Sequence, residues 1–300
     1  MARIGVVGAG RVGAVLSAAL RAAGHEVVAA AGQSPATLQR AAELLPGVPV
    51  AKPTDVARAC DLLLLTVPDD MLENVATTLV GAGAIREGQL VVHTSGRHGL
   101  AVLHAVTAVG ARPVALHPAM TFTGTAVDLD RLEGCVFGVT AGDAERDVVE
   151  GLVADLRGVA MWVPEDKRTL YHAGLAHGAN HLVTLVSQAM DLLAASGAED
   201  PAATLRPLLT AALDNALASG DAALTGPIVR GDVRTVRDHL VEITRTAPAT
   251  VPSYVAMARA TVERAMRDGR LLPIRAHAVV RVLDAALARV EGTPQRQPVR

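Results

Sequence analysis

Gly8-Ala9-Gly10-Arg11-Val12-Gly13 has the spacing G-x-G-x-x-G. In the right context this spacing binds a dinucleotide pyrophosphate, because each glycine removes a side chain that would block the turn. Gly8 is expected to make the tight turn, Gly10 to let backbone approach the pyrophosphate, and Gly13 to let a helix pack closely on a strand. Arg11 and Val12 open that helix, whose first N–H groups would face the anion. Ser34 and Arg40 suit a ribose 2′-phosphate, one as a hydroxyl donor and the other as a counter-charge. A second group suits proton transfer and carbonyl polarisation: Ser95, His117, His172, Asn180 and Arg230. Arg230 could grip a carboxylate through two parallel hydrogen bonds, or pair with Asp232.

A glycine motif of this kind carries weight only between a strand and a helix. Residues 3–7 read as a short buried strand, 11–23 as a helix and 26–31 as a second strand. The pattern continues with a helix near 35–45, a short strand near 49–51 and a strong strand at 61–67. Further strands are predicted near 89–94, 112–117, 134–140 and 159–163. Several are continuous apolar runs, as strands covered on both faces require. The fold class is therefore α/β: a Rossmann, doubly wound, mostly parallel sheet with helices on each side. Ligands of such sheets bind beyond the carboxyl ends of the strands, which puts Val67 and Pro68 beside the ribose and nicotinamide. Ser95 and His117 follow the next two strand ends, and Ser95 is counted among the cofactor contacts as well. Turn and cap chemistry is the alternative for both, and Asp69 and Asp70 suit the N-terminus of the following helix.

After Pro164 no further strand is predicted. Helices are expected at 166–197, 200–219, 232–247, 249–268 and 275–290, broken at Gly197, Pro201, Gly220, Pro248, Gly269 and Pro273. The expected organisation is a nucleotide-binding domain at 1–164, an all-α domain for substrate and dimerisation at 165–290, and a flexible tail at 291–300. The length of 300 residues fits two domains of ~150 residues. Half the residues are hydrophobic, which excludes disorder for the bulk of the chain. The net charge of -2, spread without a basic stripe, and the 2% aromatic content argue against nucleic-acid binding. No apolar run reaches the ~18 residues of a membrane helix, and Arg11 and Arg21 interrupt the N-terminal run, so no export signal is read there. Two cysteines without metal spacing, Cys60 and Cys135, fit a reducing cytoplasm.

NAD binding wants an acidic residue at the end of the second strand. Ala29-Ala30-Ala31-Gly32-Gln33-Ser34 offers none, so NADP(H) is the expected cofactor. Ser34 also suits a helix N-cap before Pro35 and could serve both roles. At about 100° per residue along 166–197, His172 falls on an apolar, inward stripe with Ala176, Ala179, Val183 and Met190, and Asn180 lies at its edge. His177 and His181 fall on the opposite side. Their i, i+4 spacing suits a metal, but no acidic ligand is adjacent and none is expected to bind. His172 is read as a general acid and Asn180 as a group orienting the substrate oxygen. The alternatives are a structural histidine at the domain junction and a helix–sheet hydrogen bond.

Four segments carry a resemblance: His93-Thr94-Ser95-Gly96; His117-Pro118 with Thr121-Phe122; Tyr171-His172 through Asn180; and Leu224 through Asp232, which contains Thr225-Gly226-Pro227-Ile228-Val229-Arg230-Gly231-Asp232. Together they resemble the Rossmann-like oxidoreductases with a C-terminal domain of unknown function (family 2520). The last segment is the most specific, and the resemblance covers nearly the whole chain. That family looks like a branch of the group containing 6-phosphogluconate dehydrogenase, β-hydroxyacid dehydrogenases, ketopantoate reductase and pyrroline-5-carboxylate reductase. The resemblance implies an NADP-dependent reductase fold and a homodimer formed through the helical domain. Hydroxyacid-reductase relatives place a catalytic Lys four residues before an Asn on this helix, where this chain has Ala176. The only lysines are Lys52 and Lys167, off that spacing. The expected activity is NADPH-dependent reduction of a small carbonyl acid, a 2-keto acid such as ketopantoate. An imine reductase is the second expectation, since an iminium is already activated. A non-catalytic NADP(H)-binding regulator is the third, and a deazaflavin–NADP oxidoreductase fits by fold analogy alone.

Overall fold

The computed structural model describes residues 1–292, apart from the side chain of Glu291. From residue 293 on, the tail expected at 291–300 lies outside the described residues. The chain divides into two units, Met1–Ala179 and the residues from Asn180 onward.

The first unit is built on seven strands: β1 (Arg3–Val7), β2 (Glu26–Ala31), β3 (Leu62–Leu65), β4 (Leu90–His93), β5 (Arg112–Pro118), β6 (Val136–Ala141) and β7 (Val159–Trp162). Their order in the sheet is β2-β1-β3-β4-β5-β6-β7. Every pair is parallel except β5 with β6, where His117 lies opposite Gly138. Eight helices complete the unit: α1 (Arg11–Ala22), α2 (Pro35–Leu44), α3 (Pro53–Ala59), α4 (Leu72–Gly81), α5 (His104–Ala108), α6 (Val127–Arg131), α7 (Arg146–Asp155) and α8 (Arg168–Leu175). Successive strand residues point to opposite faces. Ile4, Val6, Leu62 and Leu64 thus pack with α1 and α7, while Val7, Leu63 and Leu65 pack with α3 and α4. That is why β3 reads Leu-Leu-Leu-Leu: both its faces are buried.

Three expectations need correction. The strand near 49–51 is a single bridge, Ala30 to Val50. Pro49 has no N–H to give a neighbouring strand, and Val50 is exposed, so nothing extends the pairing. The helix expected at 166–197 is three pieces: α8, a π-helical stretch at Ala176–Asn180, and α9 (His181–Ala195). The wide π turn breaks the constant angular step, and the apolar stripe it defined is not buried: Val183 is 67% exposed. The boundary between the units falls at 179/180 rather than 164/165. Buried Arg168 and half-buried Tyr171 tie α8 to β6, so α8 belongs with the sheet.

The second unit contains α9, α10 (Pro201–Ser219), α11 (Pro227–Arg230), α12 (Val233–Thr246), α13 (Val251–Arg267) and α14 (Pro273–Glu291). Val236, Leu240 and Ile243 recur along one face of α12 and pack with Val255, Val262, Val279 and Leu283 of α13 and α14. By contrast α9 buries no residue and α10 only Leu205. Among the described residues no helix is long and apolar enough to cross a membrane.

Candidate functional site

β1 delivers the chain to Gly8, whose φ of +98° is open to glycine and strained for other residues. A Cβ there would lie 2.7 Å from the Thr66 carbonyl oxygen. A Cβ on Gly13 would overlap both Thr66 Oγ1 and the Gly8 carbonyl oxygen, so α1 can approach β3 only because Gly13 has none. Thr66 Oγ1 fixes the turn by donating to the Gly8 carbonyl at 2.6 Å. Gly10 differs from both. The only atom near its missing Cβ is the Gly8 carbonyl oxygen at 3.8 Å, so its open side faces space that a ligand would use. The helix cap at Gly10 has no side chain, and the first turn of α1 has no acidic residue. Its leading N–H groups are thus available to an anion.

These residues border a cleft of about 730 Å³, within the size range of small-molecule and cofactor sites. Gly8, Gly10, Arg11, Val12, Ser34, Val67 and Pro68 line it, as do Gln33, Thr37, Asp69 and Thr94. Ser34 is the N-cap of α2: its Oγ accepts from the Thr37 N–H at 3.2 Å and lies 2.9 Å from Thr37 Oγ1. Arg40 does not line the cleft but stands beside Arg11, both against Gly124 of the loop after β5. Asp69 lies 3.6 Å from Arg97 and is not in the first turn of α4. The open side of Gly10, the uncapped helix end and the absence of an acid after β2 fit a dinucleotide with a 2′-phosphate.

Beyond the ends of β4 and β5 lies a cluster of polar side chains. His93 is fully buried. Its Nδ1 accepts from the Ser95 N–H at 3.2 Å, and its Nε2 is 2.8 Å from the Gly99 carbonyl. A carbonyl only accepts and an amide N–H only donates, so the ring is neutral with its hydrogen on Nε2. Burial holds its pKa down at about 4, and the Arg168 charge adds to that. Ser95 is buried, and its groups are engaged: the N–H with His93, Oγ accepting from the His98 N–H at 3.2 Å, and the carbonyl accepting from Arg168 at 2.5 Å. Thr94, not Ser95, lines the cleft.

Arg168 is the organiser of this cluster. Fully buried, it donates to the carbonyls of Ser95 and Gly138, the latter at 3.0 Å. Tyr171, one turn later on α8, lies against β6, where a Cβ on Gly138 would sit 2.5 Å from its hydroxyl oxygen. Because Gly138 faces His117 across the strands, the missing side chain seats Tyr171 Oη 3.0 Å from His117 Nδ1. Gly96 plays the same part on the other side: a Cβ there would meet His172 at 2.5 Å and His117 Nε2 at 3.0 Å. The rings of His117 and His172 are edge-to-face, 5.9 Å apart. Burial, then the charge of Arg168 and the presence of His172, push the His117 pKa down to about 4.

The sequence expectations therefore meet in part. Ser95, His117 and His172 come together; Asn180 and Arg230 belong to the second unit. Asn180 is exposed at the end of the π stretch. Arg230 closes α11, which Gly226 and Pro227 start; its charge is a minor cause of the lowered Asp232 pKa, after the hydrogen bonds from Thr235, and among the described residues the two form no close ion pair. Asp232 instead caps α12, accepting from Thr235 N at 3.1 Å and Thr235 Oγ1 at 2.7 Å. His177 and His181 show no metal grouping, there being none among the described residues. Arg168 and Gly138 escaped the sequence reading, while Tyr171 and Gly96 entered it only within the segments that carry the resemblance, with no role of their own. One signal was available: an isolated glycine inside a strand, as at 138, marks a close approach.

Residues 1–118 match the Rossmann-like domain, and residues 135–261 match the Domain of unknown function (DUF2520). The two matched segments together cover most of the chain. No curated protein matches it in sequence. Among solved structures it is similar to a candidate NADP oxidoreductase from Bacteroides fragilis, with TM-score 0.75 and 18% identity over 87% of this chain and 97% of the other. A protein from Thermotoga maritima matches with TM-score 0.63 and 20% identity over 88% and 99% of the two chains. Pyrroline carboxylate reductase from Plasmodium falciparum, solved with NADP bound, matches with TM-score 0.57 and 14% identity over 93% and 98%. At these identities the likeness is one of fold.

Proposed function

We propose that the chain is an NADP(H)-dependent oxidoreductase that transfers hydride to a small carbonyl or imino acid. The observation that carries this reading is the glycine-walled cleft at the carboxyl end of the sheet, with Ser34 and Thr37 but no acid after β2. Gly8, Gly10, Arg11 and Val12 would hold the pyrophosphate, Ser34 the 2′-phosphate with Arg11 and Arg40 nearby, and Val67 and Pro68 the nicotinamide end. The bound cofactor would supply the hydride. His117 and His172 are the proton-transfer groups of this proposal. Asn180 is assigned to orienting the substrate oxygen, and Arg230 to binding a carboxylate.

Nothing in the cluster selects ketopantoate over other 2-keto acids. The imine reading is favoured by Ala176 at the position of the relatives' lysine, since an iminium needs no strong acid. The exposed apolar residues of α9 and α10, among them Val183, Leu208 and Leu217, support a homodimer through the helical unit. Cys60 and Cys135, both buried and unpaired, support a cytoplasmic protein.

The test is NADPH oxidation by purified protein against a panel of 2-keto and cyclic imino acids, ketopantoate included. Turnover of a panel member is expected, with NADPH preferred to NADH. Tight NADPH binding without turnover of any member would replace the reductase by the regulator reading. A His172→Phe variant with full turnover and an unchanged pH profile would remove His172 from the chemistry.

A further inference from the structure

Building on the reading that the cleft holds a reduced nicotinamide dinucleotide, we propose that Tyr171 and His117 form a proton relay. The Tyr171 phenol donates to His117 Nδ1, and His117 donates from Nε2 to the substrate oxygen. His117 is then the catalytic residue and Tyr171 a positioning residue that acts through it.

Four observations lead here. Tyr171 Oη lies 3.0 Å from His117 Nδ1, and Gly138 exists as a glycine where that contact is made. His117 Nε2 takes no partner among the described residues and is not sealed in the interior. The groups facing the ring are Arg168, Tyr171 and His172 on α8 and Asp69 after β3. Burial and the positive side outweigh Asp69, so the ring stays neutral near pH 7. A neutral imidazole gives up its Nε2 proton readily only if its other nitrogen gains one in the same step. Burial raises the Tyr171 pKa, and the charge of Arg168, held by two backbone carbonyls with its guanidinium carbon 5.7 Å from the Tyr171 ring centroid, works against that rise and so favours release of the phenol proton.

In the reducing direction the steps balance. Hydride from the dinucleotide forms the new C–H bond, and the C=O π pair moves to oxygen. That oxygen takes the Nε2 proton, the His117 Nδ1 takes the Tyr171 proton, and water returns a proton to the half-buried phenolate. An alcohol oxidation runs the same path backwards.

The test uses full-length protein labelled with ¹⁵N-histidine, in which His117→Asn identifies the His117 signals among the ten histidines. NADP⁺ affinity is measured on the same samples. The expected result is a neutral Nε2–H tautomer at pH 7. In Tyr171→Phe the Nδ1–H tautomer should gain population, with NADP⁺ affinity changed less than about two-fold because Tyr171 does not line the cleft. With any substrate the wild type reduces, Tyr171→Phe should lower kcat by about 10²- to 10⁴-fold at unchanged KM. A wild-type Nδ1–H tautomer, ring signals unaltered in Tyr171→Phe, or retained kcat each overturns the relay while leaving the dinucleotide reading intact. Absence of NADP⁺ binding by wild type overturns that reading, and the relay falls with it.

Discussion

His93 ties the stability of the first unit to pH, and its contribution can be isolated by one substitution. The ring is completely buried, between an N–H that must donate to Nδ1 and a carbonyl that must accept from Nε2. Protonation would place a second hydrogen on Nδ1, against the Ser95 amide. Its pKa is about 4 in the fold, against 6.5 for an ordinary histidine. The unfolded chain therefore binds the proton first, and acid favours unfolding. The folded pKa is depressed, so the stabilisation is complete above about pH 6.5 and is lost as pH falls towards 4. From these two values the loss is about 0.8 kcal/mol at pH 6 and about 2 kcal/mol at pH 5, with a limit of ~3.4 kcal/mol below pH 4. His93→Gln supplies a carbonyl and an amide in place of the two ring nitrogens and does not titrate in this range. At pH 7 it should cost about 1–3 kcal/mol through imperfect hydrogen bonds. Urea unfolding followed by Trp162, the single tryptophan, which lies on β7 of this unit, reads both proteins. The gap between them should shrink by about 2 kcal/mol from pH 7 to pH 5, because only the wild type carries the linkage. Subtracting the variant cancels His117, which is common to both. A gap constant to within about 0.5 kcal/mol would refute the argument that burial keeps His93 neutral.

Two further outcomes probe the cleft. Ser34→Asp retains a good N-cap for α2 but puts a carboxylate where a 2′-phosphate is expected, so NADP⁺ affinity should fall by at least about ten-fold while NAD⁺ affinity holds or rises. Equilibrium titration of both dinucleotides measures it, and an unchanged affinity ratio would move the phosphate elsewhere. Gly13→Ala drives a Cβ into Thr66 Oγ1 and the Gly8 carbonyl, and should cost about 1–3 kcal/mol of stability together with dinucleotide affinity; wild-type-like urea midpoint and binding would contradict the packing account.

What could be read from the sequence followed the range of the interactions involved. β1 and β2 came out at their observed limits because their apolar runs are bounded by glycine and charge over a few residues. The nucleotide turn was legible for the same reason, since Gly8, Gly10 and Gly13 act on backbone within one βαβ unit. The stretch 166–197 was read correctly as helical but wrongly as uniform. Hydrophobic periodicity assumes a fixed angular step, and a five-residue π turn changes that step without changing composition. The apolar stripe after it misled differently: an apolar residue such as Val183 reads as inward, whether or not its own chain covers it. The histidine cluster draws on residues 93–96, 117, 138 and 168–172, and no local pattern joins them. Arg168 was hidden by abundance, being one of 26 arginines.

The scarcity of lysine gains physical content from that cluster. Arg168 is the buried cation beside His117, yet a guanidinium does not give up its proton in a protein. It can fix carbonyls and stabilise a neighbouring anion, but it cannot replace an ammonium as an acid. Its positive charge also disfavours an imidazolium at His117. Burial first, and then the residue that organises the cluster, disfavour the simplest acid there. On the proposed reading, a carbonyl reduced here would draw its proton from Tyr171 through His117, or from His172. An iminium would need neither. Reduction of a cyclic imine that survives loss of both Tyr171 and His172 would thus decide for the imine chemistry on the ground that first raised it, the alanine at 176.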